Sequence, residues 1–207
     1  MPDENLFIRF SCSIHFCVGK AGMRQGLLWL SLALALTFGR VRATERALIF
    51  DLPQSRVEIS VKATSGTFLS RLRVFEPLVT VDEGGRVVAA ELHFRFADIA
   101  TGKPKRDRAL QVWQQSEVFP DSHFVLTRLG ATAEGYLEAH GLLTLHGVTR
   151  EISFPVWIAH DTGVIAIDGD AWLDVRVFGL PVPRLYWVLK VDPWVRVRFH
   201  LQGTVAS

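Results

Sequence analysis

Residues 141–156 read GLLTLHGVTREISFPV, two apolar runs that meet at His146 and Gly147 with Thr144, Thr149 and Arg150 crowded around the meeting point. Polar residues gathered at one bend suggest either a catalytic cluster or the corner of a sheet. A two-residue hairpin loop needs positive φ at both central positions, which glycine adopts freely and histidine at some cost. The stretch is therefore read as two antiparallel strands with His146 and Gly147 at the corner, and with Thr144, Thr149 and Arg150 bonding around it in preference to facing the polar end of a bound molecule.

Outward from this corner the same period-two pattern recurs, the mark of strands with one dry face. In SRVEISVK, Val57, Ile59 and Val61 oppose Arg56, Glu58, Ser60 and Lys62. In VVAAELHFRF, Val88, Ala90, Leu92, Phe94 and Phe96 oppose Glu91, His93 and Arg95, and in VRVRFHLQ, Val195, Val197, Phe199 and Leu201 oppose Arg196, Arg198, His200 and Gln202. Turn signals at Asp82–Gly85, Ala133–Gly135, His146–Gly147 and Asp161–Gly163 separate such runs, so the order is antiparallel. One segment differs: PKRDRALQVWQQ opens on Pro104 and places Leu110 and Trp113 three apart, which predicts one short helix near 104–115. The expected class is all-β, an antiparallel up-and-down β-barrel of about eight strands and lipocalin size. Closure is preferred to an open sandwich because long, one-sided strands otherwise leave unpaired edges.

The first 43 of the 207 residues do not share this pattern. Leu27–Phe38 is an unbroken apolar run preceded by Met23 and Arg24 and followed by Val41, Arg42 and Ala43, the layout of a signal peptide cut after Ala43. The run is short of the roughly 20 residues a transmembrane helix needs, so no integral span is expected after cleavage. Residues 1–22 read as an over-extended start or a tail, 23–43 as the leader and 44–207 as the one folded domain, bound for the periplasm or for secretion. Cys12 and Cys17 both precede Met23, so the domain has no thiol for a disulfide, a nucleophile or a metal. Residues 1–43 hold five of the 23 basic and two of the 21 acidic side chains, leaving 18 against 19 in the domain. That balance argues against a nucleic-acid partner; the one basic cluster, Lys103–Arg108, reads as a solvated helix start.

Familiar catalytic arrangements are missing from the pattern. His140 and His146 share a strand face but stand six residues apart, on the order of 20 Å, and His93, His123, His160 and His200 fall on other strands with no metal-ligand spacing. No metal is expected. There is no GxSxG elbow. Asp168, Asp170 and Asp174 lie on the wet side of a strand whose dry side is Ile165, Ile167, Ala171 and Leu173, a poor match to a glycosidase pair. What is abundant is apolar bulk, with fourteen Phe and six Trp in the chain. A barrel of this size either fills with its own side chains or holds one small ligand, and composition does not choose between them.

The opening stretch resembles the segment that marks the YceI-like family, a G-x-L-T-x-H-G-V-T-R run followed by an alternating strand. Matching stretches follow in family order: FDLPQSRVEISVK from Phe50, TGKPKRDRAL with Arg106 and Asp107, FPDSHF from Phe119 and VRVFGLPVP around Phe178 and Gly179. The resemblance implies a secreted or periplasmic, lipocalin-like barrel whose apolar tunnel binds a polyisoprenoid, an isoprenoid quinone or a similar amphiphile, without enzymatic activity. It differs where the family commonly has a histidine after the arginine–aspartate pair, here Ala109, and in a shorter link from Leu110 to Pro120. On this reading the ligand-binding wall is Val57, Ile59, Val61, Phe94, Phe96, Leu110, Trp113, Phe124, Phe154, Val197 and Phe199, with Arg106 meeting a polar head at the mouth. A hydrophobic small molecule or lipid is the expected partner, no cofactor is expected beyond a bound isoprenoid lipid or quinone, and a homodimer is left open. A lipid hydrolase or isomerase and a ligand-free interaction module are the alternatives. A membrane-spanning barrel is disfavoured by outward charges such as Arg196 and Arg198.

Overall fold

The alternating stretches fold as antiparallel strands because each pairs its backbone on both edges while turning its dry face to a common interior. A computed structural model describes residues 45–182, 184–185 and 189–206, with the side chains of 184–185 and 189–190 excepted. The leader expected at 23–43, the tail at 1–22 and both cysteines lie outside the described residues. The strands are β1 (Arg46–Phe50), β2 (Arg56–Ala63), β3 (Gly66–Leu72), β4 (Phe75–Val81), β5 (Val87–Arg95), β6 (Ile99–Ala100), β7 (Asp121–Ala131), β8 (Leu137–Leu145), β9 (Val148–Asp161), β10 (Val164–Asp174), β11 (Arg184–Leu185) and β12 (Leu189–Val205). The helix α1 spans Pro104–Gln114, and 3-10 turns occupy Phe96–Asp98 and Val175–Phe178.

Around the barrel the order is β1–β4–β5–β7–β8–β9–β10–β12, and β12 returns to β1, so eight strands close into a ring. The other edge of β12 is shared: β1 takes its C-terminal end, through Leu48 opposite Val205, and β2 takes Val191 to His200. β3 pairs β2 and then passes through Arg73 and Val74 into β4. Closure removes most of the edge that an open sheet of this length would expose; among the described residues the outer edge of β3 from Gly66 to Ser70 and that of β4 from Phe75 to Val79 have no strand partner.

The corner at 146–147 takes the predicted geometry. His146 and Gly147 have φ of 52° and 69°, and the β8–β9 ladder runs from Leu145 opposite Val148 to Leu137 opposite Val156. A β-carbon on Gly147 would also meet the Phe119 ring at 2.8 Å, so glycine is required twice over.

One inward assignment is corrected. Ala89 pairs Thr80 but Val87 pairs Val81, which leaves Val88 as the extra residue of a β-bulge. The bulge reverses the alternation at this point, so Val87 turns inward and Val88, assigned to the dry face, is exposed. The helix is where the proline placed it, with Pro104 in the first turn and Gln115 closing it in a left-handed conformation.

Candidate functional site

The strands place their dry residues around a hollow interior. Along β12, Val195, Val197, Phe199 and Leu201 face inward, as do Ile167, Ala171 and Leu173 on β10 and Val57, Ile59 and Val61 on β2. Together with the other strands they enclose a cavity of about 850 Å³. Ligand sites typically occupy roughly 300–1,000 Å³, whereas a packed core leaves few voids larger than a water molecule. The choice that composition left open falls to a hollow barrel. All twelve residues assigned to the wall from the sequence, Arg106 included, border this cavity.

The cavity has one closed and one polar end. At the end carrying the β4–β5 and β9–β10 turns, Leu48, Val81, Ile165 and Leu201 are buried against one another in the core. At the opposite end the lining includes Ser65, Thr101, Arg106 and Asp192 together with Leu110 and Trp113 of α1. The helix is fixed over this end by contacts of its own. The Trp113 indole N–H donates to the Pro181 carbonyl (2.7 Å), and its ring packs on Phe96 with centroids 6.3 Å apart. The Asp107 carboxylate accepts from the hydroxyl and the backbone N–H of Thr101 (2.6 and 2.8 Å), which hold it below the ordinary carboxylate range. Asp107 thus ties the first turn of α1 to the chain entering it.

Arg106 lies over the Phe68 ring, its guanidinium carbon 4.4 Å from the centroid. It forms no ion pair among the described residues, so its donors are unengaged by carboxylate at the rim. Two strand steps below Phe68, about 7 Å along β3, sits Ser70. It is buried at 9% exposure on the cavity wall, with no hydrogen-bond partner for its hydroxyl among the described residues. Ser70 and the rim residues Ser65, Thr101 and Asp192 were missed by sequence reasoning. Ser65 and Thr101 lie in or beside turns, where period two assigns no face, and Asp192 lies within β12 where its register against β2 shifts between Val191 and Val195; Ser70 broke the apolar pattern of Phe68 and Leu72 and was visible only as a gap in it.

The polar groups of the opening motif serve the wall. The His146 ring nitrogen Nδ1 carries the proton it donates to the Phe178 carbonyl (3.2 Å), and Arg150 donates through Nε to the Val177 carbonyl (3.0 Å). Thr144 and Thr149 bond each other across the hairpin at 2.8 Å. These bonds seat the 3-10 turn Val175–Phe178 on the β8–β9 corner, and Phe178, 1% exposed, closes part of the cavity wall. The motif is a corner that positions a wall residue.

On the outside of the barrel, charges pair across strands. Arg196 of β12 bonds both carboxylate oxygens of Asp170 on β10, and His200 meets Asp168 at 2.9 Å. The Arg196 guanidinium keeps the Asp170 carboxyl below its usual range. The acidic residues of β10 therefore face their partners on the wet side and none of them borders the main cavity. Among the described residues no group of three or more His, Cys, Asp or Glu is placed to hold a metal ion, and no helix is long and apolar enough to cross a membrane.

The same barrel is found in solved structures. BcnA of Burkholderia cenocepacia superposes with a TM-score of 0.67 at 21% identity, over 75% of this chain and 100% of that one. The Campylobacter jejuni YCEI protein gives 0.58 at 13% over 67% and 85%, and a polyisoprenoid binding domain from Saccharophagus degradans, implicated in plant cell wall breakdown, gives 0.57 at 12% over 79% and 100%. At these identities the likeness establishes the fold. No curated protein matches the chain. The sequence pattern of the YceI-like domain matches residues 48–203, from within β1 to within β12, and the chain belongs to the YceI-like family.

Proposed function

We propose that the protein binds and carries a long-chain hydrophobic ligand, a polyisoprenoid, an isoprenoid quinone or a similar amphiphile, with the chain in the bore and the polar head at the α1 end. The observation that carries this reading is the cavity itself: about 850 Å³, walled by aliphatic and aromatic side chains, inside a closed barrel. Burial supplies the drive, at about 0.8 kcal/mol for each CH₂ removed from water. Arg106 and Thr101 supply orientation at the rim, where a head group exchanges water for a guanidinium and a hydroxyl. The likeness to a domain named for polyisoprenoid binding supports the same class of ligand.

A binding role is favoured over catalysis by where the ionisable groups stand. Of the charged residues bordering the cavity, Arg106 and Asp192 are at the rim, and the Glu91 carboxylate turns outward to His93 at 3.2 Å. A lipid hydrolase needs an acid or base beside the reacting bond, and among the described residues the deeper wall offers only the Ser70 hydroxyl. The leader-like segment at 23–43 supports a place in the cell envelope.

The test is direct. Protein purified without detergent is extracted with organic solvent and the extract analysed by mass spectrometry, in parallel with uptake of added prenols and quinones. A near-stoichiometric amphiphile with a long apolar chain is expected. Repeated extracts free of such a molecule, together with no uptake, would overturn the proposal.

A further inference from the structure

Half the circumference of the bore alternates large and small residues. At mid-height β7, β9 and β12 contribute Phe124, Phe154 and Phe199, while between them β8 contributes Ala139 and Gly141, with Leu143 next toward the α1 end, and β10 contributes Gly169 and Ala171. The three rings form a continuous girdle: Phe124 and Phe154 have centroids 5.5 Å apart, and Phe154 meets Phe199 edge-on at 5.9 Å. Each outer ring lies across a glycine. A β-carbon on Gly141 would stand 2.4 Å from the Phe124 ring, and one on Gly169 would stand 2.2 Å from the far end of the Phe199 ring. No real β-carbon tolerates such distances, so these rings occupy the space that side chains on β8 and β10 would fill.

We infer that Gly169 sets how deep a chain can enter the bore: it lets the Phe199 ring lie along the barrel wall and so leaves a passage beside the aromatic girdle. β10 cannot retreat to make room for a larger residue, because Gly169 is paired on both edges, with Phe199 and with Val156. Phe154 blocks the ring on one flank. The direction left to a displaced Phe199 is into the bore. Below the girdle lie Leu129, Val156, Ile158, Ile167 and Leu201, all on the cavity wall, and this lower compartment is useful only to a ligand long enough to pass the rings. The cavity thus suits a long, linear apolar chain that slides past ring faces. The inference rests on the carrier reading.

The experiment measures affinity for linear prenols of increasing length, from geraniol to solanesol, in the wild type, Gly169→Ala, Phe199→Trp and Gly169→Ala/Phe199→Leu, each checked for folding by thermal melting. In the wild type, affinity is expected to climb with chain length until the bore is filled. In Gly169→Ala it levels off at a shorter chain. Each CH₂ kept out of the bore costs up to about fourfold in affinity, so the longest prenols lose more than about tenfold and geraniol is unaffected. Phe199→Leu in the second position restores the wild-type profile. Phe199→Trp, too large for the glycine floor, shortens the profile in the same way and serves should Gly169→Ala fail to fold. An unchanged length profile in both single variants, or a double variant that stays short, overturns the inference alone. Absence of binding by the wild type at every length overturns the carrier reading and the inference with it.

Discussion

At one end of the barrel the strands are joined by tight turns. Asp82 organises the β4–β5 turn, its carboxylate accepting from the backbone of Gly84 and Arg86 at 2.9 Å and from the Arg86 side chain at 2.8 Å. His160 reaches from β9 to donate to the Gly85 carbonyl (3.0 Å), tying strands that are not neighbours in the sheet. Val81 beneath them is completely buried. At the other end, beside the tight β8–β9 corner, the chain makes its long excursion: 25 residues, Phe96–Pro120, separate β5 from β7 and carry α1. There Leu110 and Trp113 are half-buried, and a guanidinium rests on an aromatic ring rather than on a carboxylate. The first end is a floor, in which apolar side chains meet each other; the second is a rim, in which they meet whatever enters. Stability and ligand affinity are therefore expected to separate along the barrel axis.

The sharpest way to break that contrast is to place a charge at each end. Val81→Asp buries an uncompensated carboxylate in the floor and is expected to cost about 3–5 kcal/mol, enough to remove the cooperative melt in a thermal scan. Leu110→Asp at the rim is expected to change stability by roughly 1 kcal/mol or less while abolishing retention of an apolar chain. Equal destabilisation by the two variants would show that floor and rim are one cooperative unit.

Trp113→Phe keeps the ring but removes the donor to the Pro181 carbonyl. A loss of about 1 kcal/mol of stability is expected, with a clearly larger effect on the dissociation rate of bound ligand, since α1 is then less firmly held over the bore. Stopped-flow release measurements decide this; a rate unchanged from wild type would mean that α1 does not retain the ligand.

A smaller effect is expected from Arg106→Gln, which leaves the bore intact. Binding of an amphiphile with an anionic head should weaken several-fold, as for loss of one charge-assisted hydrogen bond near the surface, and binding of a neutral prenol should not change. Isothermal titration of both separates the head-group role from a general packing role.

The smallest effect concerns acid. The folded-state carboxyls of Asp82 and Asp107 lie below their ordinary values, the first mainly through the Arg86 backbone N–H and the second mainly through the Thr101 hydroxyl. A carboxyl that binds its proton less tightly when folded stabilises the fold fully above its unfolded pKa, and that contribution disappears as pH falls through the lower folded value. Both ends should thus loosen only on the acid side of the ordinary carboxylate range. Asp107→Asn should remove the rim component, flattening the acid dependence of Trp113 fluorescence while the floor's response, followed by amide exchange at Gly84 and Arg86, persists.

Much of this was legible residue by residue. The alternations in 56–62 and 195–202 placed Val57, Ile59, Val61, Val197 and Phe199 on the dry face, because side chains on a pleated strand have no other choice than in or out. His146–Gly147 was legible as a corner because few residues accept positive φ. Val88 was misassigned because a bulge leaves no mark in an alternation that happens to be apolar at Val87, Val88, Ala89 and Ala90 alike. Gly141 and Gly169 carried a readable signal, a lone glycine within a strand pattern, but their meaning required knowing which ring crosses them from the next strand.

The sequence by itself determined which faces are dry, where the chain turns and that one helix interrupts the sheet, since these follow from local periodicity and from the φ that glycine and proline permit. Only the tertiary structure decided that the dry faces enclose a space instead of meeting. That outcome depends on how many strands share the circumference and on which small residues stand opposite which rings, quantities that belong to pairs of strands far apart in the chain. The same greasy alternation would serve a solid core; closure through eight strands, with glycines under two of the phenylalanines, left it open.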